Sequence, residues 1–411
     1  MELDIYPSQL RGSITPPPSK SQSHRLIIAA ALADGRSEIR GAARSRDIDA
    51  TLSCMEALGA KYAWSDGKLI IDGNGGKKRA GELPILDCCE SGSTLRFLIP
   101  IALVTAGGGE FRGRGRLMER PQEPYFEIFQ KMGIEYERRR DALSVSGKLI
   151  PGEYALRGDV SSQFVTGLLY ALSLTDGESR IRLTTPLESK SYVDMTLDAM
   201  RLFGANAREL SDGYEVSHSH YLPHEALAEA DWSQAGFFFA ANALGGKMEI
   251  NGLNENSSQG DRIIRGYCER LAGSGEVRID VSDCPDLVPA LALIGACRGG
   301  RRTRIDNAAR LRMKESDRLA SVTEVLTALG AKISEMPDAL IIDGTGELSG
   351  GAEVSAHNDH RIAMMAAVAA ARCKARVTLV GAESVEKSYP EFWNDMEKLG
   401  LKFVARKDES I

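Results

Sequence analysis

The residues best suited to chemistry stand near the start of the chain, in the stretch Pro18-Ser19-Lys20-Ser21-Gln22-Ser23-His24-Arg25. Small hydroxyl residues before an apolar run (26–32) are typical of a helix N-terminus. The free N–H groups of a helix start carry about half a positive charge, and Lys20 and Arg25 add full charges beside them. The stretch predicts an anion site for phosphate or carboxylate, although an ordinary capped helix with solvated basic residues would explain this one motif more simply.

The pattern recurs along the chain. Each copy has a polar cap, an apolar helix of small residues, usually a glycine, and then a strand. The six copies begin near Ser21, Ser91, Ser161, Asp231, Asp283 and Asn358. A second, amphipathic helix follows in each copy and ends at a glycine, and turn residues at 66–67, 141–142, 212–213 and 338–339 predict hairpins. The sequence therefore predicts repeats of roughly 60–70 residues.

These repeats indicate an α/β protein whose units wrap around internal helices. Helices such as 237–241 and 364–368 are apolar on all sides, so we expect them to be buried. Six copies divide naturally into three and three, and the polar stretch 220–225 is the natural boundary. At 411 residues the chain has ample material for a core in each half.

Composition limits the class of partner. The chain has 51 basic and 57 acidic residues and a net charge of −6, so no global field recruits nucleic acid or an anionic membrane. No apolar stretch reaches the roughly 18 residues of a transmembrane helix, and no signal peptide is predicted. Seven cysteines without CxxC spacing predict reduced thiols and a cytoplasmic location. His218, His220 and His224 are interpreted as surface-loop residues rather than a zinc site.

An anionic ligand must therefore be held locally. If the capped helix starts converge in each half, two such clusters facing each other would form an anion-attracting cleft. Basic residues near these starts are Lys20, Arg25, Arg96, Arg116, Arg120, Arg361 and Lys387. In the stretch 310–318, Lys314 and Arg318 would share one helix face at i,i+4, and Glu315 could pair with Arg318.

Seven motifs, in order from about residue 15 to 393, carry a resemblance to a known family. They are Pro18-Ser19-Lys20-Ser21, Ser91-Gly92-Ser93-Thr94-Leu95-Arg96, Arg116-Leu117-Met118-Glu119-Arg120-Pro121, Ser161-Ser162-Gln163-Phe164, Arg312-Met313-Lys314-Glu315-Ser316-Asp317-Arg318, Asn358-Asp359-His360-Arg361 and Lys387-Ser388-Tyr389-Pro390. Together they resemble the EPSP synthases, the 3-phosphoshikimate 1-carboxyvinyltransferases. A set of motifs in one order is far more specific than any single motif.

The resemblance implies a two-domain inverse α/β barrel with six βαβαββ units, three per domain. It places 1–18 with 230–411 in one domain and 19–229 in the other, with the active site in the cleft between them. The implied reaction moves the enolpyruvyl group of phosphoenolpyruvate to the 5-hydroxyl of shikimate 3-phosphate and releases phosphate. This reaction belongs to the shikimate pathway, which leads to chorismate and the aromatic amino acids.

The resemblance also implies binding residues. For shikimate 3-phosphate they are Lys20, Ser21, Arg25, Ser161, Ser162, Gln163, Ser189, Tyr192, Asp286 and Lys314. For phosphoenolpyruvate they are Lys20, Gly92, Arg120, Gln163, Arg318, Arg361 and Lys387. Arginines suit a planar carboxylate, and hydroxyls with a lysine suit a phosphate that must be oriented.

The implied mechanism is addition followed by elimination. Asp286 would take the proton of the 5-hydroxyl, Glu315 would handle the methylene proton, and Lys20 would protonate the leaving phosphate. Asp286 could instead be a simple helix cap, since Pro285 and Pro289 flank it. No cofactor or metal is expected, the protein is expected to be a monomer, and glyphosate is the expected inhibitor.

Three positions depart from the usual family pattern. They are Glu90 and Arg310, where asparagine is usual, and Phe97, where proline is common. An extra acid at position 90 should weaken anion binding unless a basic neighbour offsets it. Arg310 could contact phosphate or lie in solvent.

Two alternatives remain. UDP-N-acetylglucosamine enolpyruvyl transferase shares the fold and the donor, but it usually has asparagine after the first lysine, where this chain has Ser21, and often a cysteine in the loop that here spans 114–120. The other alternative is a non-catalytic anion-binding protein, to which the acids Asp286 and Glu315 would give no advantage.

Overall fold

A computed structural model describes residues 1–79 and 81–406 of the chain. The chain divides into two compact units, which we call the C unit (1–17 with 230–411) and the N unit (18–229). The described residues contain these α-helices: α1 (Lys20–Leu32), α2 (Arg46–Ala57), α3 (Gly92–Thr105), α4 (Glu123–Met132), α5 (Ser162–Leu172), α6 (Lys190–Leu202), α7 (Trp232–Ala243), α8 (Ile264–Ala272), α9 (Val288–Ala296), α10 (Arg318–Ala328), α11 (His360–Arg372) and α12 (Phe392–Lys398).

Short strands alternate with these helices along both units. They are β1 (Glu2–Tyr6), β2 (Arg11–Ile14), β3 (Asp34–Arg40), β4 (Lys61–Ser65), β5 (Lys68–Asn74), β6 (Ile85–Asp87), β7 (Gly108–Arg112), β8 (Glu135–Arg138), β9 (Ala142–Ser146), β10 (Glu153–Leu156), β11 (Glu178–Leu183), β12 (Ala207–Leu210), β13 (Gly213–Ser217), β14 (Glu225–Leu227), β15 (Lys247–Ile250), β16 (Val277–Asp280), β17 (Arg302–Asp306), β18 (Lys332–Met336), β19 (Ala339–Asp343), β20 (Glu353–Ser355), β21 (Val377–Val380) and β22 (Lys402–Ala405).

One sheet pattern repeats. In the order β6-β7-β9-β8 the first two strands run parallel, because α3 connects them, and β8 and β9 form an antiparallel hairpin. The sheets β10-β11-β13-β12 and β16-β17-β19-β18 have the same order. The predicted hairpins at 66–67, 141–142, 212–213 and 338–339 are confirmed. The expected α/β class with repeated units is therefore confirmed.

Two sheets are completed by strands that are distant in sequence. In the N unit, β14 pairs in parallel with β3, so the sheet order is β14-β3-β5-β4. In the C unit, β1 lies between β21 and β22 and is antiparallel to both. Register in these pairs is set by alternation, since Leu3 and Ile5 of β1 face the core.

The fourth repeat departs from the expected βαβαββ pattern. Its described sheet contains only β2 and β15, which run parallel and lack a hairpin. The reason is chain length, because only residues 273–276 separate the end of α8 from β16, the first strand of the next repeat. The fourth repeat is therefore a shortened version of the βαβαββ unit.

The apolar helices are buried inside their units, as predicted. In the N unit, α3 packs on α5, and every residue of α1 from Ser23 to Leu32 is buried. In the C unit, α7, α9 and α11 pack on one another, and α11 is buried from His360 to Ala371. Each unit has its own apolar core. Burial on all sides explains why these helices carry alanine and glycine where an amphipathic helix would carry charge.

One helix prediction is wrong. Lys314 and Arg318 do not share a helix face, because Lys314 follows the 3-10 turn Ala309–Met313 in an extended conformation. Helix α10 begins only at Arg318, since the side chain of Asp317 accepts a hydrogen bond from the N–H of Ala320 and caps the helix there. Glu315 nevertheless pairs with Arg318, as the sequence suggested.

Candidate active site

The polar helix starts of the N unit are placed by side-chain caps. Ser19, Ser91 and Ser161 each accept a backbone N–H from the first turn of α1, α3 and α5, respectively. This confirms the predicted helix starts. Each cap leaves other N–H groups of that turn without an intrahelical acceptor, which is the local feature that favours an anion.

Lys20 and Arg25 lie on α1 but have different surroundings. Lys20 Nζ donates to Oδ2 of Asp47 at 2.7 Å, and both side chains are only 14% and 11% exposed. Arg25 is 1% exposed, and its guanidinium donates to the hydroxyl of Thr196 and the carbonyl of Ser21. Burial lowers the pKa of Arg25 to about 10, so it stays charged at neutral pH.

The first turn of α3 lies against Arg120. A Cβ at Gly92 would come within 2.7 Å of Nη1 of Arg120, so position 92 has no room for a side chain while that guanidinium keeps its place. Arg120 ends the 3-10 turn Leu117–Glu119 and is 6% exposed. The two residues predicted for the same ligand are therefore in contact.

Gln163 joins the starts of α5 and α3. Its amide oxygen accepts from Arg96 at 2.9 Å, and its amide nitrogen donates to the hydroxyl of Ser93 at 2.9 Å. Arg96 also donates to the carbonyl of Pro121 and lies 4.8 Å from the ring centre of Phe164. A donor on one side and an acceptor on the other fix the orientation of the Gln163 amide.

The remaining predicted residues of the N unit lie at the starts of α5 and α6. Ser162 is the first residue of α5 and is 5% exposed. Ser189 precedes α6 with a φ of 56°, a left-handed conformation that is unusual for serine. Tyr192 lies in the first turn of α6, and the Arg25 guanidinium carbon is 5.9 Å from its ring centre.

In the C unit, Asp286 lies between two arginines. Oδ1 accepts from Arg318 at 2.9 Å and Oδ2 accepts from Arg361 at 2.8 Å. Asp286 belongs to the 3-10 turn Pro285–Leu287, which leads into α9. Burial raises the pKa of Asp286, but Arg361, Lys314 and Arg318 together lower it well below its usual range. The carboxyl is therefore ionised at neutral pH.

Arg318 binds three carboxylates. Besides Asp286 it donates to Glu315 at 2.7 Å and to Asp359 at 2.9 Å, and it is 1% exposed. Burial lowers the pKa of Arg318, but Asp359, Glu315 and Asp286 outweigh burial and raise it. Asp359 is fully buried, caps α11 through the N–H of Arg361, and accepts from Ser316.

The other predicted cations of the C unit surround this cluster or flank α11. Arg361 donates to the hydroxyl of Ser233 at 2.8 Å. Lys387 ends the 3-10 turn Ala382–Lys387, and its Nζ donates to the carbonyl of Asn358 at 2.7 Å. Burial, only partly offset by Asp286, lowers the pKa of Lys314 to about 8.

The three positions that depart from the usual family pattern make defined contacts in the structure. Phe97 is fully buried, and the guanidinium carbon of Arg25 lies 5.1 Å from its ring centre, a cation–π contact. Arg310 is 7% exposed and donates to the carbonyl of Ser282, so it does not lie in solvent. A Cβ at Gly115 would lie 2.6 Å from the carboxylate of Glu90, which places that acid against the 114–120 loop.

Sequence reasoning missed three residues of these clusters. They are Asp47, which pairs with Lys20, Asp359, which pairs with Arg318, and Ser233, which binds Arg361. Asp47 carried a weak signal, because it is an acid in the first turn of a helix capped by Ser45. Asp359 belongs to one of the seven motifs, but the local sequence does not show which arginine a helix-capping aspartate will also bind.

The three histidines of the 218–224 stretch are exposed, as expected for a surface loop. Among the residues that the structure describes, no group of three or more His, Cys, Asp or Glu side chains is arranged to hold a metal ion.

Two clusters, each rich in buried cations at helix starts, thus carry the predicted residues. A sequence model of the family described as EPSP synthase (3-phosphoshikimate 1-carboxyvinyltransferase) matches residues 6–396. The chain belongs to the EPSP synthase family. The 3-phosphoshikimate 1-carboxyvinyltransferases of Clostridium beijerinckii and Clostridioides difficile are 43% and 40% identical to it, with 97% of each chain covered.

Solved structures share the EPSP synthase fold. The EPSP synthase of Acinetobacter baumannii has a TM-score of 0.81 at 24% identity and covers 98% of this chain and 100% of its own. The enolpyruvyl transferase NikO of Streptomyces tendae has a TM-score of 0.79 at 18% identity and covers 98% of each chain. Within the described part of the chain, no helix could span a membrane.

Proposed function

We propose that this chain transfers the enolpyruvyl group of phosphoenolpyruvate to the 5-hydroxyl of shikimate 3-phosphate, with release of phosphate. The observation that carries the proposal is the family match over residues 6–396, together with relatives of that name at 43% identity along nearly the whole chain. The chemistry of the two clusters supports it, because both substrates combine phosphate with carboxylate and both clusters hold buried cations.

The proposed binding residues are those that the family resemblance implies. The shikimate 3-phosphate site would contain Lys20, Ser21, Arg25, Ser161, Ser162, Gln163, Ser189, Tyr192, Asp286 and Lys314. The phosphoenolpyruvate site would contain Lys20, Gly92, Arg120, Gln163, Arg318, Arg361 and Lys387. Contact between Gly92 and Arg120 supports their assignment to one ligand.

Asp286 would accept the proton of the 5-hydroxyl as that oxygen attacks carbon 2 of phosphoenolpyruvate. Its ionised state supports this role, although two arginines make it a weak base, so substrate binding must change those contacts. Glu315 would deliver a proton to the methylene carbon in the addition step and would take a proton back from the resulting methyl group in the elimination step, as the C–O bond to phosphate breaks and the double bond re-forms. Lys20 would protonate the departing phosphate, with Asp47 holding its ammonium group.

The first prediction is the activity itself. Phosphate should be released only when phosphoenolpyruvate and shikimate 3-phosphate are both present, and a coupled phosphate assay measures this. UDP-N-acetylglucosamine as acceptor is the matched control and should give no release. Release with that acceptor would instead identify the other enolpyruvyl transferase, and binding of both anions without release would identify a non-catalytic binding protein.

The second prediction concerns proton uptake by Lys314. Because its pKa is about 8 in the free protein, Lys314 is half or more deprotonated at pH 8–9. A phosphate bound beside it favours the charged form and raises that pKa, so binding should take up to about one proton in this range. At pH 6.5, where Lys314 is already charged, uptake from this group should vanish.

Calorimetry of shikimate 3-phosphate binding in buffers of different ionisation enthalpy measures this uptake. The matched variant Lys314→Met should bind more weakly and lose the uptake at pH 8–9. Equal uptake in the variant and the wild-type protein would contradict the assignment of Lys314 to the phosphate.

The proposal also includes a cytoplasmic, monomeric enzyme that glyphosate inhibits. These three parts stay predictions.

A further inference from the structure

A chain of buried hydroxyl groups crosses the N unit beside Lys20 and Gly92. Nδ1 of His24 lies 2.8 Å from Oγ1 of Thr51, which lies 2.6 Å from Oγ1 of Thr94. Oγ1 of Thr94 donates to Oγ of Ser91 at 2.7 Å. All four side chains are at most 1% exposed. This series of hydrogen bonds thus joins α1, α2 and the start of α3.

The order of protons along this chain follows from the distances. Thr94 has one hydroxyl proton and gives it to Ser91, because its other acceptor, the carbonyl of Asp47, is 3.5 Å away. Thr94 must then accept from Thr51, and Thr51 must accept from His24. His24 therefore carries its proton on Nδ1.

The far side of the His24 ring fits this order. Nε2 is buried and has no hydrogen-bond partner within residues 1–79 and 81–406, so a proton there would be an unsatisfied donor. Burial and the charges of Lys20 and Arg25 lower the pKa of His24 well below its usual value, which keeps the ring neutral.

Both ends of this hydrogen-bonded series of side chains lie close in sequence to a predicted substrate residue. His24 lies one helical turn after Lys20, and Ser91 immediately precedes Gly92. Thr51 lies one turn after Asp47, the partner of Lys20, and is 3.4 Å from its carbonyl. The three helix segments that hold Lys20, Asp47 and Gly92 are therefore tied together by one buried polar chain.

We infer that Thr51 is a positioning residue for phosphoenolpyruvate, because its hydroxyl holds α1, α2 and the start of α3 in one arrangement. The inference rests on the proposed function. Thr51 touches no predicted substrate residue through its side chain and acts through His24 and Thr94. A misplacement of about 1 Å at a reacting group can cost as much as a hundredfold in rate, so even a small shift of Gly92 against Lys20 should be measurable.

The test compares Thr51→Val, which keeps the shape but removes the hydroxyl, with Thr51→Ser, which keeps the hydroxyl. Thr51→Val should raise KM for phosphoenolpyruvate about tenfold and leave KM for shikimate 3-phosphate within about twofold. Thr51→Ser should restore most of the loss. The control Thr105→Val, at the far end of α3, removes a buried hydroxyl that donates to the carbonyl of Ile101, and should change neither KM.

Unchanged KM values in Thr51→Val would overturn the inference, and so would an equal rise in both KM values with a lower Tm, which marks a general structural role.

A readout that needs no activity is nitrogen-15 NMR of the wild-type histidines. The resonance pair that Thr51→Ser shifts should show a protonated Nδ1 and an unprotonated Nε2. The opposite tautomer would overturn the chain of donors even if Thr51→Val failed to fold. An inactive wild-type protein with the expected tautomer would instead refute the proposed function.

Discussion

Replacing Arg318 with alanine should lower the free energy of unfolding of the C unit by about 3–5 kcal/mol, the usual cost of breaking a buried ion pair from one side. The physical reason is the set of three carboxylates around the guanidinium. Asp359 is fully buried, and Asp286 and Glu315 are only 14% and 16% exposed. Without Arg318 these acids would face one another with much less compensating charge.

Urea unfolding of the intact chain at pH 7, followed by circular dichroism, measures this loss. The matched control is Arg302→Ala, because Arg302 also pairs with a carboxylate through two nitrogens, to Asp343, but both side chains are more than half exposed. It should show no measurable change. Equal stability of the two variants would contradict the buried-network interpretation.

The penalty in Arg318→Ala should also depend on pH. Because its cationic neighbours lower the pKa of Asp286 in the folded protein, its ionised form contributes stability above its unfolded pKa, near 4, and that contribution is lost as pH falls. The difference between wild-type and Arg318→Ala should therefore shrink below about pH 4. A difference that grows on acidification would show that the carboxylates do not depend on Arg318.

Replacing Asp286 with asparagine should lower turnover by about 10²- to 10⁴-fold, the usual contribution of a positioned proton acceptor. Asparagine keeps the shape of the side chain but cannot take the proton. Binding of shikimate 3-phosphate should weaken little, because loss of an acid removes some repulsion from an anion site. Steady-state kinetics gives the turnover, and calorimetry gives the dissociation constant.

Asp283→Asn is the control for this experiment, because Asp283 is an exposed acid three residues earlier in the same segment. Its turnover should stay within about twofold of wild type, as is usual for a surface substitution. Much weaker acceptor binding in Asp286→Asn, with unchanged turnover at saturating acceptor, would mean that Asp286 is a structural cap. The same result would remove the base from the proposed mechanism.

Helix starts and hairpins could be predicted from the sequence because their causes are local. Ser19, Ser91 and Ser161 cap helices through N–H groups two or three residues away, and the same residues are visible in the chain. The hairpin at 212–213 needs only a turn residue between two strands. Local chemistry of this kind gives the repeat without any knowledge of packing.

Contacts between distant segments could not be predicted in this way. The pairing of Lys20 with Asp47 and of Arg318 with Asp359 joins residues 27 and 41 positions apart. The predicted helix through Lys314 failed for a related reason, since both a continuous helix and a cap at Asp317 fit the pattern 310–318. The substrate assignments came from a resemblance between whole sets of motifs, and no single cluster would have given them.

The position of β1 between β21 and β22 has a consequence for how the protein is made. Residues 2–6 leave the ribosome about 375 residues before their partner strand 377–380, which at 5–20 residues per second is a wait on the order of 20–75 s. The N unit is synthesised entirely within that interval and can fold as the nascent chain grows. One edge of β1 can pair once 377–380 is made, but the other edge remains unpaired until translation reaches Lys402–Ala405, so a segment made early is among the last to be fully built into its sheet.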